Sequence, residues 1–246
     1  PAEGLPDLFI AMGQTAENVA ELKGVSREAM DEYGVMSQNK AEAAISRGFF
    51  EMDITPVTMP DGTIVSADDG PRAGVTLDAV SQLKPVFRPD GRVTAGNACP
   101  LNDGAAAVVV MSRKRAEELG ITPLARIIAS SVSALNPEIM GLGPIEAIKR
   151  VLARADMTMS DIDLVEINEA FAAQVIPSAD ELGIDMVDQL NVNGGAIALG
   201  HPFGQTGARI MTTLINGLED SDKTFGLESM CVGGGQGMAM IVERLS

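Results

Sequence analysis

The stretch LNVNGGAIALGHPFGQTGAR, residues 190–209, decides how the carboxyl half of this sequence is interpreted. It contains His201, the one histidine of the 246-residue chain, in a run with five glycines. Glycine lets backbones and ligands approach closely, and the residues from 203 onward predict a helix whose amino end carries partial positive charge. That field disfavours an imidazolium. The pattern therefore predicts either a neutral imidazole that accepts a proton or a purely structural histidine.

Two other short segments place a reactive or polar side chain at a predicted strand end. EINEAFA (166–172) puts Asn168 after a strand, where it either caps the next helix or faces a substrate. CVGGGQG (231–237) puts Cys231 before three glycines, as a small buried hydrophobe or as a thiol beside free backbone N–H groups. The glycines lack the spacing of nucleotide-binding loops. Together the three residues suit acyl or carbanion chemistry on a thioester, but general rules leave other activities open.

Composition restricts the partners and the compartment. The formal net charge of −16 argues against nucleic acid and anionic membranes, and it leaves room for an anionic small ligand at a local cation. Two cysteines form no disulfide framework, so we expect a reducing compartment, the cytoplasm. We find no apolar run near the length of a membrane span and no signal peptide.

The element pattern predicts α/β structure. Thr15 is predicted to cap a short helix to Glu21, and Ser26 a longer one to about Arg47 with Gly48 as its stop. A buried strand is predicted at 105–112 and a helix at 113–120. From residue 123 onward, strands at 124–135 and 163–167 alternate with helices at 144–155, 169–182 and 203–220, and two strands follow. This alternation favours a sheet covered by helices.

Seven segments resemble the thiolase family, which includes acetyl-CoA acetyltransferases and 3-ketoacyl-CoA thiolases. NVNGGAIALGHPFGQTGAR, CVGGGQGMAMIVE and VEINEAFAA resemble its three carboxyl-half signatures. Its loop domain and the segment after it are similar to MGQTAENVAE, SREAMDEYGVMSQNKAEAAI, LKPVFRPDGRVTAGNA and NDGAAAVVVMS. The resemblance implies a layered αβαβα sandwich of two similar halves with an α-rich loop domain. We expect the loop domain at 1–100, a remnant of the first half at 101–122 and the complete second half at 123–246.

The resemblance also implies catalytic roles. His201 corresponds to the histidine that activates a nucleophilic cysteine, and Cys231 to the cysteine that moves the proton at the substrate α-carbon. Asn168 corresponds to an asparagine that holds a water, which with His201 forms one oxyanion hole. The Gly233 N–H corresponds to a donor of a second hole. The nucleophilic cysteine belongs to the front of the first half, and neither cysteine here aligns with it.

Coenzyme A is expected on the loop domain, with acyl-CoA as substrate and no permanent cofactor or metal. The resemblance assigns Arg72 to the adenine nucleotide, and Ala95 and Gly96 to the pantetheine. It assigns Met12, Met140 and Phe171 to the acyl site. Cys99 and Ala79 replace serines that contact CoA in many members, and Ala11 replaces a histidine of some short-chain enzymes. These departures affect the expected acyl-chain preference and the expected affinity for CoA.

The predicted activity is the reversible conversion of 3-ketoacyl-CoA and CoA to acyl-CoA and acetyl-CoA, with acetoacetyl-CoA or another short to medium chain as substrate. This chain alone is expected to be inactive, and the full-length form to be a dimer or tetramer. The alternatives are a CoA-binding fragment without activity and one subunit of a split enzyme. We also expect the strand at 105–112 to expose apolar groups, because its neighbours in the first half have no counterpart here.

Overall fold

Two helices near the amino end begin the fold. The computed structural model describes Gly4 and residues 6–246; the other residues of the predicted 1–100 domain, 1–3 and 5, lie outside it. Helix α1 spans Met12–Lys23 and α2 spans Arg27–Ser46. The Ser26 hydroxyl accepts from the Ala29 N–H, as predicted. The predicted Thr15 cap is wrong: α1 is already helical at Met12, and the Thr15 hydroxyl donates back to the Met12 carbonyl.

Short elements complete the first 120 residues. They are a 3-10 turn at Phe49–Glu51, an antiparallel pair of β1 (Val57–Thr58) with β2 (Ile64–Val65), α3 (Leu77–Ser81) and α4 (Arg113–Leu119). Helix α4 ends at the left-handed Gly120, as the sequence predicts.

The predicted buried strand at 105–112 is wrong. These residues are irregular and exposed, with Val109 84% and Val110 71% accessible. The segment has strand propensity, yet no strand among the described residues lies beside it, so its backbone has no ladder to join. The exposed valines agree with the expectation that this segment presents apolar groups.

The second half is a mixed four-stranded sheet with helices on both faces. Its strands lie in the order β3-β6-β5-β4, and only β4 and β5 are parallel. The strands and helices of this half are β3 (Ala125–Ala134), α5 (Gly143–Ala155), β4 (Leu164–Ile167), α6 (Ala172–Leu182), α7 (Ala196–Leu199), α8 (Thr206–Asp220), β5 (Phe225–Val232) and β6 (Gln236–Arg244). Helices α6 and α8 each begin three residues later than predicted.

Strand β4 shows why both faces are covered. Val165 and Ile167 belong to the main core with residues of α5 and α6, whereas Leu164 packs against Leu214 and Leu218 of α8 on the opposite face. Both faces of this edge strand therefore carry buried apolar side chains. Helix α2 packs against α6 and α7, so the predicted loop domain and the second half share one core. The expected α/β class is confirmed. No helix of the described residues is long and apolar enough to cross a membrane.

Candidate active site

The parallel pair β4 and β5 brings two of the predicted catalytic residues to one edge of the sheet. Asn168 follows the last residue of β4, and its backbone N–H donates to the Ser229 carbonyl of β5 at 3.0 Å. Cys231 lies two residues beyond Ser229, near the carboxyl end of β5. Because parallel strands end at the same edge, Asn168 and Cys231 share a side of the sheet.

The side chain of Asn168 contacts the predicted histidine. Asn168 is 1% exposed, and its Nδ2 lies 3.3 Å from His201 Nε2. The alternative role of Asn168 as a helix cap is wrong, because α6 begins after Phe171 and has no side-chain cap. The amide instead faces the imidazole across 33 residues of sequence.

Two glycines of the 190–209 run are required where neighbours approach closely. A Cβ at Gly195 would overlap the Glu169 carboxylate, and Gly200 has φ of 90° with the Asn102 side chain where its Cβ would stand. The Asn102 carbonyl oxygen Oδ1 in turn accepts from the His201 backbone N–H at 3.0 Å. The glycines thus let polar side chains hold the backbone on both sides of the imidazole.

Glu169 is buried and connects the loop domain to this site through hydrogen bonds. Its carboxylate is 1% exposed and accepts from Tyr33 Oη at 2.9 Å, Ser37 Oγ at 2.6 Å, Asn191 Nδ2 at 2.8 Å and the Ile197 N–H at 3.1 Å. Donors from α2, from α7 and from the segment between α6 and α7 therefore meet at the residue beside Asn168.

The His201 imidazole favours its neutral form. Burial lowers its pKa, and the positive charge of Arg209 in the first turns of α8 lowers it further. The sequence predicted the same direction from the field of the helix terminus. The structure assigns the shift mainly to desolvation. A neutral imidazole at physiological pH can accept a proton.

Both thiols are half-buried and protonated at neutral pH. Burial raises the pKa of Cys231 to about 11, and burial followed by the nearby Cys231 raises that of Cys99 to about 11. A thiol with such a pKa is a proton donor and a poor nucleophile unless a base acts on it. Gly233 lies in the exposed turn between β5 and β6, with open space beside its Cα.

The predicted CoA residues fall in three places around this edge. Residues 97–99 pair with 170–172, which sets Cys99, Ala95 and Gly96 near Phe171. The backbone N–H of exposed Arg72 donates to Gln38 Oε1. The Nε2 of the same Gln38 side chain donates to the Ile197 carbonyl. Met12 begins α1, which packs against the 3-10 turn containing Met140. The first two groups lie beside the segments that carry Asn168 and His201.

An open cleft of about 610 Å³ lies in front of His201. It is lined by Leu101, Asn102, Asp103, Gly104, His201, Pro202, Phe203 and Gly204. Residues 101–104, at the start of the predicted remnant of the first half, therefore form one wall.

A charged cluster lies behind the site, on the face of the sheet that α8 covers. Glu166 and Glu228 are register partners on β4 and β5, and Arg209 Nη1 lies 3.9 Å from Glu166 Oε2. Burial raises the pKa of each glutamate to about 8, against a partial lowering by Arg209. These carboxyls hold protons in the folded chain at pH values where exposed glutamates do not.

This cluster predicts a pH dependence of stability. The Glu228 pKa changes from an ordinary 4.5 to about 8 on folding, so the folded chain binds more protons between these pH values. Stability is therefore lost as pH rises through this window, on the order of 2–4 kcal/mol.

The variant Glu228→Gln tests this dependence. Its side chain is neutral at every pH, so the unfolding free energy, measured by urea titration from pH 5 to 8.5, should fall less steeply. The exposed Glu219→Gln on α8 is the control. Parallel curves for Glu228→Gln and the unsubstituted chain would contradict this assignment.

Sequence reasoning missed several residues of the site. Thr206 contacts the imidazole, Asn102 holds its backbone, and Glu169 joins the elements around it. Asn102 belongs to the quoted NDGAAAVVVMS segment, in which the apolar residues predict a strand and neither they nor the family resemblance give Asn102 a role. No spacing rule connects Glu169 to Tyr33, which lies 136 residues away.

Comparison with known proteins agrees with this geometry. Family models described as "Thiolase, N-terminal domain" and "Thiolase, C-terminal domain" match residues 2–114 and 121–244. The chain is 51% identical to an acetyl-CoA acetyltransferase of Cupriavidus necator over 98% of its own length and 63% of the relative's. It superposes on the Bacillus anthracis acetyl-CoA acetyltransferase with TM-score 0.93 and 46% identity, covering 96% of this chain and 60% of that one.

A second solved structure, human mitochondrial 3-ketoacyl-CoA thiolase in complex with CoA, has TM-score 0.90 and 40% identity, and the match covers 98% of this chain and 61% of that one. The chain thus spans about three fifths of the length of these relatives. Matches of this extent, on a fold with the same long signatures, show that this chain belongs to the thiolase family.

Proposed function

We propose that this chain supplies the acid–base part of a thiolase centre, which works with a nucleophilic cysteine on residues that the relatives carry upstream. The observation that carries the proposal is the contact between His201 and Asn168 at the edge of the sheet where Cys231 also lies. An imidazole, an amide and a thiol at one strand edge are what thioester condensation and thiolysis need.

His201 is the base for the nucleophile. Its Nε2 takes the proton of the nucleophilic thiol, and the thiolate attacks the ketone carbon of the 3-ketoacyl-CoA. The bond between the α- and β-carbons breaks, and the leaving enolate of acetyl-CoA takes the proton of Cys231. A second CoA thiol then gives its proton to the Cys231 thiolate, attacks the acyl-cysteine and releases acyl-CoA. The nucleophilic cysteine takes its proton back from His201, which restores the starting state. The high pKa of Cys231 suits a group that gives up its proton only to a strong base such as an enolate.

Asn168 and Gly233 help to stabilise the negative charge that develops on the substrate oxygen atoms. Asn168 Oδ1 is buried and meets no hydrogen-bond donor among the described residues, which fits an amide that holds a water molecule. That water and the protonated His201 stabilise the enolate oxygen. Exposed Gly233 has open space where a Cβ would stand, and its N–H serves the oxyanion of the acyl transfer.

The substrate is a CoA thioester, acetoacetyl-CoA or another short to medium 3-ketoacyl chain. Arg72 is the cation for the nucleotide, Ala95, Gly96 and Cys99 follow the pantetheine, and Met12, Met140 and Phe171 line the acyl site. The CoA complex of the human relative supports this ligand class. Cys99 is a poorer hydrogen-bond donor than serine, so we expect weaker CoA binding than in members with serine.

The alternative is that the chain binds CoA without turnover, alone or as one subunit of a split enzyme. The raised pKa of both cysteines favours this alternative for the isolated chain, because neither thiol is poised as a nucleophile. In the full-length form we propose a homo-oligomer, dimer or tetramer, in the cytoplasm.

The decisive assay compares thiolysis of acetoacetyl-CoA by this chain with thiolysis by the extended protein, which is this sequence preceded by the residues of its own gene upstream. We expect no turnover by the chain alone and turnover by the extended protein. Calorimetry with CoA tests binding by both. Turnover by the isolated chain that is lost in Cys99→Ala would show that Cys99 is the nucleophile and overturn the assignment.

A further inference from the structure

The hydroxyl of Thr206 lies between the imidazole and a backbone carbonyl. Thr206 is the first residue of α8 and is fully buried. Its Oγ1 lies 2.7 Å from His201 Nδ1 and 2.9 Å from the Pro202 carbonyl oxygen, to which it donates. The hydroxyl therefore connects the rear of the ring to the start of the helix.

The hydrogen bond from Thr206 to Pro202 favours one state of the ring. A hydroxyl has one hydrogen, and because Thr206 Oγ1 donates it to the Pro202 carbonyl, Thr206 accepts from His201 Nδ1–H. In the neutral ring Nε2 then carries a lone pair, which accepts from Asn168 Nδ2–H at 3.3 Å. The opposite tautomer would place the Nε2–H against the N–H of Asn168. The groups on both sides of the ring thus select the same tautomer.

We propose that Thr206 is a positioning residue that holds neutral His201 in the Nδ1–H tautomer, so that Nε2 alone takes up and returns the proton. The catalytic consequence rests on the proposed function. The tautomer does not. The Nδ1–H bond to Thr206 persists in the imidazolium, so the ring keeps its orientation through a proton cycle. The His201 backbone bond to Asn102 restrains the residue from the other end.

Three variants separate this role from general packing. Thr206→Ser keeps the hydroxyl, and Thr206→Val keeps the shape but removes it. Thr212→Val is the matched control: its hydroxyl, on the same helix, donates at 2.9 Å to the carbonyl four residues earlier and is not bonded to His201. A loss caused by helix packing would appear in Thr212→Val as well.

Because the chain has one histidine, its imidazole gives a single set of nitrogen signals. Long-range ¹H–¹⁵N spectra of the ¹⁵N-labelled chain, above the His201 pKa, should show protonated Nδ1 and unprotonated Nε2. Thr206→Ser and Thr212→Val should match it. Thr206→Val should lose the Nδ1–H species in favour of Nε2–H. If Thr206→Val fails to fold, the spectra of the unsubstituted chain, Thr206→Ser and Thr212→Val still show which tautomer His201 adopts. An Nε2–H tautomer in the unsubstituted chain, or an unchanged spectrum in folded Thr206→Val, would overturn the proposal.

In the extended protein, Thr206→Val should lower kcat about 10- to 100-fold with little change in KM, and Thr206→Ser should restore it. A Thr206→Val enzyme with normal kcat would refute the catalytic consequence. An extended protein without thiolase activity would refute the proposed function and leave the tautomer assignment standing.

Discussion

Replacing His201 with alanine in the extended protein is expected to lower kcat/KM for thiolysis of acetoacetyl-CoA by roughly 10³- to 10⁴-fold, the contribution of a positioned general base. The imidazole is neutral because burial and Arg209 lower its pKa, so alanine removes the group able to take the thiol proton. Cys231→Ala should cost a similar factor, because the enolate then loses its proton donor. The two variants differ in where the cycle stops.

Mass spectrometry of the extended enzyme after a single turnover distinguishes the two steps. His201→Ala should accumulate little acyl-enzyme, since the nucleophile is not activated. In the direction of synthesis, Cys231→Ala should still be acylated by acetyl-CoA and then fail to condense. Thr212→Val on α8 serves as the control and should keep normal rates. A near-normal rate in either variant would remove that residue from the mechanism.

Replacing Glu169 is expected to cause the largest loss of stability. Glu169→Ala leaves four donors without their acceptor in a buried place, and the glycine that faces it, Gly195, cannot fill the space. We expect a loss of about 3–5 kcal/mol in unfolding free energy, in the range for breaking a buried charged network. Glu169→Gln, which keeps one carbonyl oxygen, should cost less, about 1–3 kcal/mol.

Urea unfolding followed by circular dichroism measures this, with exposed Glu219→Ala as the control. Since Glu169 directly follows Asn168, the Gln variant should also weaken the contact between Asn168 and His201. The His201 nitrogen signals can report that change. An unfolding midpoint for Glu169→Ala equal to that of the control would show that the four hydrogen bonds carry little net stability.

Local signals in the sequence predicted the helices and failed where partners are distant. Ser26 and Gly48 correctly bounded α2, because caps and left-handed turns act within a few residues. Thr15 looked like a cap because its residue type suits one. Residues 105–112 have the residue types of a strand, but these preferences do not show whether a neighbouring strand is present to pair with them.

The candidate site divides in the same way. The signatures marked His201, Asn168 and Cys231, and the parallel pairing of β4 with β5 brings the last two to one edge. Which alternative applied to Asn168, cap or site, depended on a contact 33 residues away. Thr206 escaped notice because a threonine in the first turn of a helix ordinarily indicates helix capping.

The most direct test of the account is a crystal structure of the extended protein with acetyl-CoA bound. We expect the thioester to lie in the cleft before His201, with His201 Nε2, the Asn168 amide or its water, and Cys231 Sγ all within about 3–4 Å of its reacting atoms. A thioester bound in this cleft with Cys231 or His201 in a separate pocket, beyond reach of the same molecule, would contradict it.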